Sequence, residues 1–402
     1  MIMIKTQTQI NINKIIEVKS SNLKDILLSF KILMVSVFED FVKQVLLKFA
    51  EEYMKNGNLQ EILNCNKITW KSKNGFKTTQ ILTIFGKINI PQIQVVADGK
   101  RIFITRLLLG LEKRKRIPQI TIEQLGLIGA LSPYRVTQKI VNMFSGVKLS
   151  LMTILRSVRK LGKIIKFDVD EKQSNVFDAD GTGLPILNSG KRGKELKILA
   201  QRKKSGGIQV SGMIIGGYNK GWDKLFKPLK EKLKVFKEIL LTTDGDDCIL
   251  KGIKGIKVIL QRCLFHIPHQ AKYTLWQDKI ERKTKPWIHI LTKLIDICSV
   301  RKIKEDESIA EETIKIKKNE LKELIDYCKD NKATKTAEYL ENASTDMFSG
   351  IEKKVYGLTT SLLERMMRTI NQRINVGQWS EASALSVCKI RGAYYYNGFN
   401  IE

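Results

Sequence analysis

Apolar residues recur at helical spacing from Leu23 through Ile26, Leu27, Phe30, Leu33 and Met34 to Val37, Phe38, Phe41, Val45 and Phe49. That stripe predicts one long amphipathic helix over 21–56, capped by Ser21 or Asn22 and ended by Asn56-Gly57, with a packing or dimerisation role. Between 66 and 105 the period changes. Short strands are expected at 79–85, 87–93 and 101–105, turning at Gly86 and at Asp98-Gly99, as a small β-meander. A basic linker, 112–116, precedes Pro118. A helical stretch follows, punctuated by Gly129, Ser132-Pro133 and Gly146. Within it, helices at 132–144 and 150–161, joined by SGVKLS, form a helix-turn-helix-like unit with Ser150 as the second N-cap. The bland alternative is an ordinary helical hairpin with a solvated basic face.

From 174 onward the pattern is α/β. Strands are expected at 174–180, 194–202, 207–217, 239–243 and 256–261, with helices at 222–238 and 263–278. Three strands, then helix, strand, helix is the order of an RNase H-like core. Residues 284–348 read as helical and highly charged, an all-helical insertion; helices at 359–374 and 380–397 resume the core. The expected domains are a helical region (1–64), a small β region (65–111), a helix-turn-helix-like DNA-binding region (112–168), the first part of the core (169–283), the insertion (284–350) and the C-terminal core helices (351–402).

Charge narrows the partners. Lysine and arginine number 70 against 41 acids in 402 residues, a formal charge of +29. Such a surplus points to a polyanion, nucleic acid before a membrane surface or a ribosome. Six scattered cysteines without a CxxC pair suit a reducing compartment. No signal peptide and no membrane span is evident, so a cytoplasmic, nucleoid-associated location is expected.

Candidate chemistry centres on SNVFDADGTGL at 174–184, where Asp178 and Asp180, two apart on a strand, share a face. Asp244, in TTDGD, and Glu364, in SLLERMMRTI, are its candidate partners. Phosphodiester cleavage needs an activated oxygen nucleophile and charge stabilisation at phosphorus, which two Mg²⁺ (or Mn²⁺) ions held by carboxylates supply. Each acid also has a local reading. Asp178 and Asp180 can end a strand before a turn, and Asp244-Gly245 is a turn dipeptide. Glu364 can form a capping box with Ser361 or pair with Arg368. The neighbouring Asp246-Asp247 competes with Asp244. Cys263 and His266, with His269, have the spacing of half a zinc site but lack a second pair. Gly181-Thr182-Gly183 is too short for a dinucleotide fingerprint.

Taken together, ADGTGLP, LTTDGD, QRCLFH and TTSLLERMMRTINQRI resemble the DDE transposases of prokaryotic insertion sequences in the Mutator-like superfamily. The resemblance covers 174–374; the N-terminal half is similar only in layout. It implies Asp180, Asp244 and Glu364 as the catalytic, metal-holding acids, with Asp178 an alternative to Asp180, and Cys263 and His266 as the C-x-x-H signature after the second acid. It implies double-stranded DNA as partner, both terminal inverted repeats and target, and a homo-oligomer on that DNA. Arg156, Arg159 and Lys160 of the helix-turn-helix, with Thr153, are candidate DNA contacts. Lys191, Arg192, Arg202, Lys203, Lys204, Arg365, Arg368 and Arg373 are candidate phosphate contacts. Trp222, Trp276 and Trp379 are candidate stacking residues, with core packing as the competing role. The functional alternatives are an RNase H-like nuclease without strand transfer, and a non-catalytic DNA-binding derivative.

Overall fold

The computed structural model describes residues 12, 14, 23–72, 77–111, 115–189, 193–218, 220–302, 307–353 and 358–399. The chain forms two compact units, dividing between Leu161 and Gly162. The expected caps Ser21 and Asn22, part of the basic linker, and Lys191 and Arg192 lie outside the described residues.

The first unit begins with α1 (Leu23–Lys55) and α2 (Asn58–Leu63), separated at Gly57, whose φ of 70° only glycine adopts freely. The sequence stripe is only partly an inward face. Leu46 and Ala50 are buried, whereas Ile26, Leu27, Phe30, Met34 and Phe41 are exposed. The β region is not one meander but two sheets. β1 (Ile68–Ser72), β4 (Gln94–Ala97) and β5 (Lys100–Phe103) form one, in the order β1-β4-β5, and β2 (Thr78–Thr83) pairs with β3 (Gly86–Pro91) as a separate hairpin. β4 was concealed because Pro91 interrupts the apolar run and Gln94 starts a new strand. Asp98 and Gly99, both at positive φ, make the β4–β5 turn.

After the short α3 (Thr105–Leu108) come α4 (Gln119–Leu131), α5 (Tyr134–Ser145) and α6 (Leu151–Ile164). Gly129 is not punctuation: it and Gly126 lie inside α4. A Cβ on Gly126 would stand 2.9 Å from Leu161 Cβ, and one on Gly129 would stand 2.8 Å from Ile154 Cγ2, so the glycines let α4 lie tightly against α6. Gly146 ends α5 in the left-handed region. Ser150 caps α6 by accepting the Thr153 N–H at 3.1 Å.

The second unit is mixed α/β. Its sheet comprises β6 (Val176–Leu184), β7 (Lys194–Arg202), β8 (Ile208–Gly216), β9 (Ile239–Thr243) and β10 (Val258–Arg262), in the order β10-β9-β6-β7-β8. β7 runs antiparallel to both β6 and β8; β9 runs parallel to β6 and β10 parallel to β9. β6 extends past Asp180 to Leu184 instead of turning at Gly181. Gly181 and Gly183 are extended, and a Cβ there would meet the Glu195 carboxylate at 2.3 Å and the Tyr218 hydroxyl at 2.6 Å. Alternation splits β6 between two faces. Phe177 and Ala179 join Leu225, Phe226 and Leu241 in one apolar core, while Asp178 and Asp180 share the other face.

Between β8 and β9 a single helix was expected. Pro228 breaks it into α7 (Trp222–Phe226), one 3₁₀ turn and α8 (Lys230–Leu233). Fully buried Lys197 of β7 pairs with Glu195 and lies 4.8 Å from the Trp222 ring centroid. After β9 come α9 (Asp247–Gly252), β10 and α10 (His266–Gln277). A helical cluster follows: α11 (Lys285–Ile297), α12 (Glu307–Asp330), α13 (Thr334–Ser344) and α14 (Ser349–Glu352). Leu264, Ile267 and Leu275 of the α10 segment belong to the apolar core of that cluster, with Leu294, Leu324 and Leu340. Arg262 clamps the end of β10 to the cluster, Nε to Asp346 Oδ1 at 2.8 Å and Nη2 to Oδ2 at 3.2 Å. Finally α15 (Ser361–Asn371) packs on β6, and α16 (Glu381–Tyr396) packs on β8 and α15.

Candidate active site

Register brings the first two acids together. Asp178 of β6 is opposite Thr242 of the parallel strand β9. The pairing ends there: Asp180 lies two residues further along β6, and Asp244 just past the end of β9. Asp244 follows the last residue of β9, and Gly245 at φ 95° turns the chain away. Asp244 Oδ1 accepts the Asp246 N–H at 3.0 Å. Asp246 is occupied elsewhere: it caps α9, its carboxylate accepting the Cys248 N–H at 2.9 Å.

Glu364 arrives from α15. The helix begins at Ser361 with Thr360 as its N-cap residue, which leaves Glu364 too far into the helix for the capping box. Its Oε2 lies 3.8 Å from Arg368 Nη2, and its Oε1 lies 3.6 Å from His266 Nε2. Oε1 is buried and has no hydrogen-bond partner.

Asp180 feels the charges of Asp244, His266 and Glu364. Burial pushes the half-buried Asp180 carboxyl up to about 7, and the charges of Asp244 and Glu364 add to that, against the pull of His266 and the Gly181 N–H. His266 is raised to about 9. Its interaction with the Cys263 thiol leads, opposed by burial, and Asp180 and Glu364 add to the rise; Nδ1 nonetheless has no well-aligned partner. Burial pushes the Cys263 thiol up, but contacts with His266 and Thr360 more than offset it. The buried Cys263 Sγ accepts from both the Thr360 N–H and its hydroxyl at 3.3 Å, so it fastens the N-terminus of the helix that carries Glu364. A Thr-Thr pair just before an amphipathic helix is an N-cap signal, but only the fold shows its hydroxyl turned to a cysteine.

Asp178 is separate. It is fully buried, accepts from Arg202 Nη2 at 3.1 Å, and burial pushes its carboxyl up to about 6 despite Arg202 and Thr242. Arg202 therefore corrects its sequence reading as a phosphate contact: its guanidinium also donates to the Thr359 carbonyl at 2.7 Å, inside the protein. Lys203 donates to the Tyr396 carbonyl. Lys204, Arg365 and Arg368 are exposed, as is Arg156 in the first unit, with Arg159 and Lys160 half-buried. Trp222 and Trp379 are buried, the latter under the Arg373 guanidinium; Trp276 alone of the three is exposed.

Three carboxylates with an unpartnered buried oxygen are the hard donor set that a divalent cation takes. Among the described residues no three carboxylate, imidazole or thiol groups stand close enough together to hold a metal ion. No protein-family model matches the chain, and no curated protein matches it. Among the described residues no helix is long and apolar enough to cross a membrane.

Proposed function

We propose that the chain is a DDE transposase with an RNase H-like core, which binds terminal inverted repeats, cleaves DNA strands and joins the freed 3′-OH to target DNA. The observation that carries this reading is the convergence of Asp180, Asp244 and Glu364 from β6, the end of β9 and α15. Three antiparallel strands followed by two parallel ones beside the first support the RNase H-like assignment, and the surplus of 29 positive charges supports a DNA partner.

Asp180, Asp244 and Glu364 would hold Mg²⁺ or Mn²⁺, which supplies charge stabilisation at phosphorus and an acidified nucleophile. The protein's own residues do the rest. The parallel pairing of β6 with β9 delivers Asp180 and Asp244 to the same end of the sheet. His266 stands against Glu364 and balances part of the acid charge before any cation arrives. Exposed Arg365 and Arg368, one turn around α15, are available to the phosphate backbone.

The test supplies a duplex carrying the element's end, a target plasmid and Mg²⁺. Joined product supports the transposase. Cleavage without joining favours an RNase H-like nuclease, and binding without cleavage a non-catalytic derivative.

A further inference from the structure

The outward face of α10 begins at the candidate active site and carries aromatic rings away from it. His266, in the first turn, stands against Glu364. Phe265 precedes it and His269, Tyr273 and Trp276 follow, all exposed, while Ile267, Ala271 and Leu275 face the helical cluster. Phe265 and His269 have ring centroids 5.0 Å apart; Tyr273 and Trp276 stack at 5.7 Å with planes 27° apart. Trp276 is 69 % and Tyr273 52 % exposed, a large uncovered aromatic surface for a soluble face.

The surroundings say what would cover it. Lys272, Lys279, Arg282, Lys283 and Lys285 are exposed here and make no ion pair among the described residues. Of the two acids in the stretch, Asp278 is engaged in accepting the Lys335 and Thr336 N–H groups, leaving Glu281. Free cations around stacked open rings complement a strand that offers phosphates and bare base faces together; a duplex hides its base faces. An apolar protein partner would leave five cations uncompensated. We infer that this face of α10 is a stacking platform for an unpaired DNA strand, with Trp276 and Tyr273 taking bases and the lysines and Arg282 taking phosphates. It rests on the DNA-processing reading above and adds to it a surface for the single strand beside the cleavage site.

The experiment measures affinity of the full chain for a single-stranded oligothymidylate of about 12 nucleotides and for a blunt duplex of the same length. Intrinsic tryptophan quenching and anisotropy are read for wild type, W276A, W276F and Y273A. Single-strand affinity should fall between about fivefold and a hundredfold in W276A. It should fall in Y273A too and be largely kept in W276F, with duplex affinity little changed. Equal single-strand affinity of W276A and wild type overturns the inference. So does an equal loss for duplex, or a change in sedimentation showing that Trp276 serves self-association. D180N separates the two proposals: it should bind the oligonucleotide like wild type. If wild type fails to cleave with Mg²⁺ yet the W276A defect stands, the enzymatic reading falls and this surface remains.

Discussion

Arg202 of β7 reaches Asp178 of β6, Nη2 to Oδ1 at 3.1 Å, and thereby separates two acids that the strand pattern makes equivalent. Asp178 is held inside by a cation of the protein; Asp180, one pleat further, faces Asp244, His266 and Glu364. Removing the guanidinium leaves a buried carboxylate without its partner. R202A should destabilise the second unit by about 3–5 kcal/mol, read by urea unfolding. D178N should retain strand cleavage. D180N, D244N and E364Q should each lower it by on the order of 10²-fold or more while DNA binding persists. Wild-type cleavage in D180N would remove that residue from the site.

The raised carboxyl of Asp180 makes stability depend on pH in a defined direction. A folded-state value of about 7, above the ordinary carboxylate range, means that its contribution is complete when the group is protonated and is lost as pH rises through 7. Asp178, pushed up to about 6, acts the same way at lower pH. The melting temperature without divalent cations should therefore fall from about pH 4, where an unfolded carboxyl titrates, to about pH 7. Mg²⁺ should raise it by a few degrees at pH 8 and hardly at pH 5. D180N should lose the part of this response near neutrality. A cation response unchanged in D180N would count against Asp180 as a ligand.

Cys263 works through the helix that carries Glu364. C263A leaves the buried Thr360 N–H and hydroxyl without their acceptor, at about 1–3 kcal/mol. The mutant should melt earlier and lose cleavage, and C263S, which restores an acceptor, should recover part of both. Loss of stability with cleavage per folded molecule intact would reduce Cys263 to a packing role.

Gly245 is constrained from two sides. Its φ is 95°, and a Cβ would lie 2.8 Å from the Arg262 guanidinium. G245A should cost about 1–3 kcal/mol in thermal or denaturant unfolding and disturb Asp244 next to it. A neutral G245A would show that Arg262 can release Asp346 without cost.

Phosphate contacts should announce themselves in salt. DNA affinity should fall linearly with log salt, and replacing Arg156, Arg365 or Arg368 by alanine should each reduce the slope by about one. R202A, whose guanidinium is turned inward, should leave that slope unchanged.

Much of the second unit was legible because its strands are apolar runs with clear breaks: β7, β8 and β9 lie within a residue or so of the sequence expectation. The places of Asp244 beyond β9 and of Glu364 within α15 are legible for a related reason, each following or occupying a strongly patterned element. What was hidden depends on partners distant in the chain. Gly181 and Gly183 look like a turn, and only Glu195 and Tyr218 beside them explain why extended strand needs glycine there. Arg202 looks like a surface cation until Asp178 is opposite it. Gly126 and Gly129 look like breaks until α6 fills the space that side chains would take. Pro228 is visible in the sequence as a helix breaker, and it does break the helix.

The helical cluster α11–α14 stands in the chain between Asp244 and Glu364, and that order has a consequence during synthesis. A ribosome that has delivered all five strands has made a product still missing its third acid, and about a hundred further residues must emerge before α15 can dock. On the proposed reading, the nascent polypeptide can grip a chromosome before it is able to break one, and truncated copies of the gene yield occupants of the element's ends that compete with the intact enzyme.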